Sequence, residues 1–232
     1  MRELRLFLFQ NIAKVMNMEE TFESLIGQVD NDLVTYVETE VLPCYEGVDP
    51  AHDQTHVRTV LGNALSLAAQ HKADLNMVYA IACYHDIGIR YGRDDHEITS
   101  ARWLRNDRKL DSFFSPEQIE IMAQAIEDHR ASSGHAPRSL YGCIIAEADR
   151  DITPMRILKR SLQFAKAHHS GVSDEEVVRI SLAHIKEKYG PNGYLKLYLN
   201  DPRNEKGLTT LREWLATGEM EQLLTQLVRE LD

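Results

Sequence analysis

The stretch Val78-Tyr79-Ala80-Ile81-Ala82-Cys83 is apolar and runs almost directly into an acid–base pair, His85-Asp86, followed by Ile87-Gly88. An ionised carboxylate and an imidazole at the end of a hydrophobic helix cost on the order of several kcal/mol to desolvate unless something compensates them. A bound cation is the usual compensation where more histidines and aspartates lie within reach. The chain offers them: His56 upstream, then His96, His129 and Asp149 downstream. The dipeptide alone carries little weight, because His52-Asp53 is a second one. The ordered set His56, His85-Asp86, Asp149, each member on or beside an expected helix, is much more specific.

Helical periodicity dominates, and no run alternates as a strand would. An amphipathic segment is expected over about 20–41, ended by Pro43. A second begins after Pro50 with Asp53 as N-cap and carries Val57, Val60, Leu61, Ala64, Leu65 and Ala68 at helical spacing. A third covers about 75–85 and a fourth begins near His96. Ser115-Pro116-Glu117-Gln118 reads as a cap with proline in the first turn, opening a helix that reaches His129. Residues 132–137 read as loop, the next helix ends at Asp149, and Thr153-Pro154 restarts another. Two or three further helices fill 174–231, interrupted at Gly190-Pro-Asn-Gly193 and Asn200-Asp-Pro202. The fold expected is all-α: a multi-helix bundle with extra helices at both ends. Residues 1–18 read as an N-terminal extension, and 19–232 as a single domain with a motif core at about 50–155 and a helical extension over 156–232.

A length of 232 residues suffices for a sizeable core. The net charge of −10 argues against a broad nucleic-acid or anionic-membrane surface, while leaving room for a small anionic substrate at a cationic cleft. Three cysteines, odd in number and without a CxxC, suit reduced thiols and a cytoplasmic protein. The apolar run near Met1 is too short for a signal peptide, and no stretch approaches the roughly 20 apolar residues of a membrane span.

Each candidate ligand has a plainer reading beside it. His56 shares a stripe with Val60 and Leu67, and a lone inward histidine is as readily a hydrogen-bonded core residue. Asp149, in Asp149-Arg150-Asp151, also reads as a surface cap. Four metal-type side chains at helix interiors and inner ends make those readings less economical when taken together.

These residues resemble the signature of the HD-domain superfamily of metal-dependent phosphohydrolases, His…His-Asp…Asp. The local contexts resemble it too: His52-Asp53-Gln54-Thr55-His56, Cys83-Tyr84-His85-Asp86-Ile87-Gly88 and Glu147-Ala148-Asp149-Arg150. The resemblance covers about 50–155. It implies one metal held by His56, His85, Asp86 and Asp149, and a second, weaker site formed by His96 and His129 with Asp86 bridging. There are departures. Thr59 stands where an arginine is common, with Arg58 beside it. The Gly-Tyr-Pro stretch of the cyclic-dinucleotide branch is absent after His129, and so is the second acidic pair of alarmone hydrolases after Asp86.

Two imidazoles with two carboxylates suit Mn, Fe, Co, Ni or Zn better than Mg²⁺. With neutral imidazoles the four ligands carry −2, so a second divalent ion leaves a surplus that attracts a phosphate. The function this implies is hydrolysis of a small phosphorylated metabolite or nucleotide by a metal-bound hydroxide, with Asp86 at its centre. Arg58 and Arg150 are the expected substrate contacts, chosen from a basic set that also holds Arg90, Arg93 and Arg130. Two alternatives share the same ligands: a di-iron oxygenase of the superfamily, and a non-catalytic metal-holding regulatory module.

Overall fold

The computed structural model describes residues 22–48, 52–169 and 171–230, and these contain helices, turns and loops with no strand. The expected N-terminal extension at 1–18 lies outside the described residues. The helices are α1 (Asn31–Tyr36), α2 (Gln54–His71), α3 (Leu75–Tyr84), α4 (His96–Asn106), α5 (Pro116–Asp128), α6 (Leu140–Asp149), α7 (Pro154–His168), α8 (Asp174–Tyr189), α9 (Pro202–Thr217) and α10 (Glu219–Val228).

Local chemistry sets most of their starts. Asp53, Asp74 and Ser115 each accept a backbone N–H of the first turn, and Gln118 answers Ser115 in a reciprocal capping box. Lys72 ends α2 in the left-handed conformation. The segment expected as one helix over 20–41 is interrupted instead. A turn at Gly27-Gln28-Val29 breaks it, and Asp30 restarts the chain by accepting from Asp32 and Leu33. Beyond Tyr36 the turns widen over Val37–Val41 and then tighten over Leu42–Tyr45.

The chain divides into two compact units, one ending at Asp149 and one beginning at Arg150. The sequence pattern groups 19–232 as one domain with an extension from 156; the packing separates the helices six residues earlier, each group around its own core. In the first unit α2 packs on α3 and α6, α5 on α3, α4 and α6, and the 3-10 turn Ile87–Tyr91 on α4. Helix α3 is buried on every side from Met77 to Tyr84, so its C-terminal end delivers whatever follows it into the interior. In the second unit Ile157, Leu158, Leu162, Val177, Ile185, Leu211 and Leu224 form an apolar core. Gly207 lets α9 touch the Ile152 carbonyl, which a Cβ would meet at 1.8 Å.

Candidate metal centre

Five segments of the first unit bring six metal-type side chains together. His56 comes from the first turn of α2, where Asp53 caps its own N–H at 3.0 Å. His85 caps the C-terminus of α3, and Asp86 follows as the chain leaves the α-helix for the 3-10 turn. His96 is the first residue of α4, His129 caps the end of α5, and Asp149 ends α6. The two residues expected at adjacent helical positions are thus split across a helix end, which turns the Asp86 carboxylate to face both neighbouring groups.

The geometry falls into two halves about Asp86. Its Oδ2 lies 3.4 Å from His56 Nε2 and 3.3 Å from His85 Nε2. Asp149 Oδ1 joins that half at 3.2 Å from His56 Nε2 and 3.9 Å from His85 Nε2. The other oxygen, Oδ1, lies 3.3 Å from His96 Nε2 and 3.5 Å from His129 Nε2. Each half is a group close enough to hold one ion: His56, His85 and Asp86, or Asp86, His96 and His129.

Which ring nitrogen carries the proton follows from the backbone. Nδ1 of His85 faces Ala82 O at 2.8 Å, that of His96 faces Arg93 O at 2.9 Å, and that of His129 faces Ile126 O at 2.6 Å. A carbonyl can only accept, so each Nδ1 donates and a neutral ring keeps its lone pair at Nε2, aimed at the centre. Two observations then test the fit to a metal. Asp86 Oδ1 is buried and makes no hydrogen bond of ordinary geometry, although two imidazole nitrogens face it. His85 Nε2 and His56 Nε2 also face each other at 3.4 Å. Lone pairs and carboxylate oxygens converging in a buried site are what a cation requires, and the nitrogen–oxygen mixture suits a transition metal.

Charge makes the same point. Burial pulls the His56 imidazole down, yet Asp149 and Asp86 push it up to about 10. His129 is likewise pulled down by burial and pushed by Asp86 up to about 9. Burial raises Asp86, but His85, His129 and His56 hold it well below the ordinary carboxylate range; Asp149 is lowered too, chiefly by His56 against the effect of burial. Without a cation His56 and His129 take up protons to balance the carboxylates. A divalent ion in each half would displace those protons.

The basic candidates do not share one fate. Arg58 does not join the cluster: its guanidinium is held by Glu38 in a two-pronged pair at 3.0 and 2.7 Å. Arg150 opens the second unit and is buried, with its guanidinium 5.1 Å from the centre of the Tyr198 ring. Arg130, next to His129, pairs with Glu97, whose other oxygen lies 3.3 Å from His96 Nδ1. Arg90 stacks near Tyr91 and Trp103.

Sequence reasoning misses Glu97, whose only signal is its place after a ligand, and Tyr45, which has none. The buried Tyr45 hydroxyl donates to Cys83 O at 3.0 Å, tying down the helix end that carries His85 and Asp86. No helix among the described residues is long and apolar enough to cross a membrane.

Residues 54–153 match the family model of the HD domain. The chain is also similar to a crystal structure of a predicted HD superfamily hydrolase from an uncultured Thermotogales bacterium. The two are 21% identical over 68% of this chain and 87% of that one, with a TM-score of 0.45. All six converging side chains lie inside the matched span, and residues 54–153 of this protein are an HD domain, the fold of a metal-dependent hydrolase family.

Proposed function

We propose that this protein is a metal-dependent phosphohydrolase acting on a small phosphorylated metabolite or nucleotide, with two divalent transition-metal ions. The observation that carries the reading is Asp86, whose two oxygens face two separate pairs of imidazoles. His56, His85, Asp86 and Asp149 would hold one ion, and Asp86, His96 and His129 the other. An ion held there supplies Lewis acidity and an activated water near neutral pH. The residues themselves do the rest. The backbone carbonyls of Ala82, Arg93 and Ile126 hold His85, His96 and His129 in the tautomer that binds.

Four neutral imidazoles and two carboxylates carry −2, so two divalent ions leave about +2 in a chain of net charge −10. That local surplus favours an anionic substrate such as a phosphate ester, and a nucleic-acid polymer or a membrane surface is disfavoured by the chain's overall charge. Arg150, next in the chain to Asp149, is the proposed substrate arginine, since Arg58 is occupied by Glu38. Three free cysteines, Cys44, Cys83 and Cys143, support a cytoplasmic setting.

The test is phosphate release from a panel of nucleotides and sugar phosphates under anaerobic conditions with Mn²⁺ or Ni²⁺, alongside metal analysis. Release that disappears in Asp86→Ala and weakens in Arg150→Ala is the expected result. Turnover requiring both iron and oxygen, with no hydrolysis product, would overturn it in favour of an oxygenase. Tight metal binding with no turnover on any substrate would favour a regulatory module.

A further inference from the structure

The second half of the centre needs Asp86 and His96 side by side, although the two belong to different elements joined by a short exposed link. We infer that Gly88 and Ser100 form a lock that sets the second metal site by fixing α4 against the turn that carries Asp86. This rests on the two-ion reading above.

Gly88 lies two residues after Asp86, and its N–H donates to Ser100 Oγ at 2.9 Å in a buried contact. A Cβ at Gly88 would stand 2.4 Å from the carbonyl oxygen of His96, 2.8 Å from Ser100 N and 2.9 Å from Ser100 Oγ. The backbone of a ligand is therefore packed directly on the glycine. That end of α4 is otherwise held by Glu97, which pairs with Arg130 beside His129. The N-cap of α4, Asp95, adopts a left-handed conformation and makes no side-chain cap bond. The far end is tied down separately, by Tyr36 and Tyr84 donating to Asp107. The Asp86 side cannot easily give way, because the Tyr45 hydroxyl grips Cys83 O while Asp86, Ile87 and Ile89 are buried.

A methyl group at Gly88 would thus move His96 rather than Asp86, by about 1 Å to restore ordinary contact. Metal–ligand distances tolerate only about 0.2 Å. The displacement would open the half formed by Asp86, His96 and His129. The other half takes its ligands from α2, the end of α3 and α6, and has no member on α4. Gly88 and Ser100 are accordingly positioning residues, and they act on one site of the two.

The test is Mn²⁺ titration of the full chain by equilibrium dialysis, with electron paramagnetic resonance of the loaded protein. The wild type is expected to take two ions per chain and give an exchange-coupled signal. Gly88→Ala is expected to keep one ion and show the uncoupled six-line spectrum. Ser100→Ala introduces no clash and so remains informative if Gly88→Ala fails to fold; it should weaken the second ion by about ten-fold or more and leave the first unchanged. Gly62→Ala, on α2 with room for a methyl group, should bind as wild type does. Two ions at wild-type affinity in both lock variants would overturn the lock alone. Equal loss of both ions would also overturn it, by making Gly88 and Ser100 general supports of the fold. A wild type that takes a single uncoupled ion at saturation would bring down the two-ion reading, and the lock with it.

Discussion

The unit ending at Asp149 and the unit beginning at Arg150 are both helical, yet they bury different chemistry. The first encloses His85, Asp86, Asp128 and His129 among its apolar residues. The second buries Arg150, Asp201 and Asn204 around a core of Ile, Leu, Val, Ala, Met and Tyr, but among the described residues the groups able to hold a metal all lie in the first. Charge divides the same way. Up to Asp149 the chain has 13 Lys and Arg against 24 Asp and Glu, a net of −11; from Arg150 it has 13 against 12, a net of +1. Apolar burial stabilises whatever the pH or the solute, whereas a buried cluster of ionisable groups ties stability to protons and ions. The first unit gains chemistry by accepting that dependence.

The sharpest way to break the contrast is Asp86→Ala. Removing the carboxylate shared by both halves should abolish binding of both ions, read by metal analysis after dialysis. An Asp86→Ala protein that still holds two ions would show that Asp86 does not join the halves. Next in size is Leu224→Ala, in the fully buried core of the second unit. It should cost about 2–5 kcal/mol in urea unfolding, while metal stoichiometry stays at the wild-type value. Loss of metal in this variant would mean that the two units are energetically one.

Saturating metal is expected to stabilise the first unit alone. At ~100 times Kd the gain is about 2.7 kcal/mol, and hydrogen exchange should slow across α2, α3 and α6 but not across α7 to α10. Uniform slowing along the chain would erase the distinction. The smallest effect is a change of slope with pH. In the metal-free protein His56 and His129 are pushed up to about 10 and about 9, above the unfolded value near 6.5. Their contribution is complete below about pH 6.5 and is lost as pH rises towards 9–10, at up to about 1.4 kcal/mol per pH unit for each. With metal bound the same imidazoles are neutral in the native state, so that alkaline decline should vanish and stability should instead fall below about pH 6.5. Parallel pH curves with and without metal would refute the exchange of protons for metal.

Much of the first unit is legible in the amino-acid sequence, because the signals are local. Asp53, Asp74 and Ser115 act on backbone groups two or three residues ahead, so a cap can be read from a few letters. Apolar periodicity locates the helices for the same reason, and it fails over 20–41, where the turn at Gly27 and the cap at Asp30 outweigh a continuous pattern. The candidate ligands stand out as metal-type residues at the ends of apolar segments. Arg58 does not reveal its role in the same way: nothing near it in the chain announces that Glu38 will occupy its guanidinium.

By itself the sequence determined the helical class, the main helix boundaries and which six metal-type side chains are the candidates, since periodicity, capping and residue chemistry all operate within a few positions. Tertiary structure decided the rest. It brought His56, the first turn of α2, to within 3.2 Å of Asp149 at the end of α6. It turned the two oxygens of Asp86 towards different pairs of histidines, and it set α4 on Gly88. Each of these depends on the packing of elements far apart in the chain, where a displacement of about 1 Å separates a ligand from a bystander and no local pattern encodes the distance.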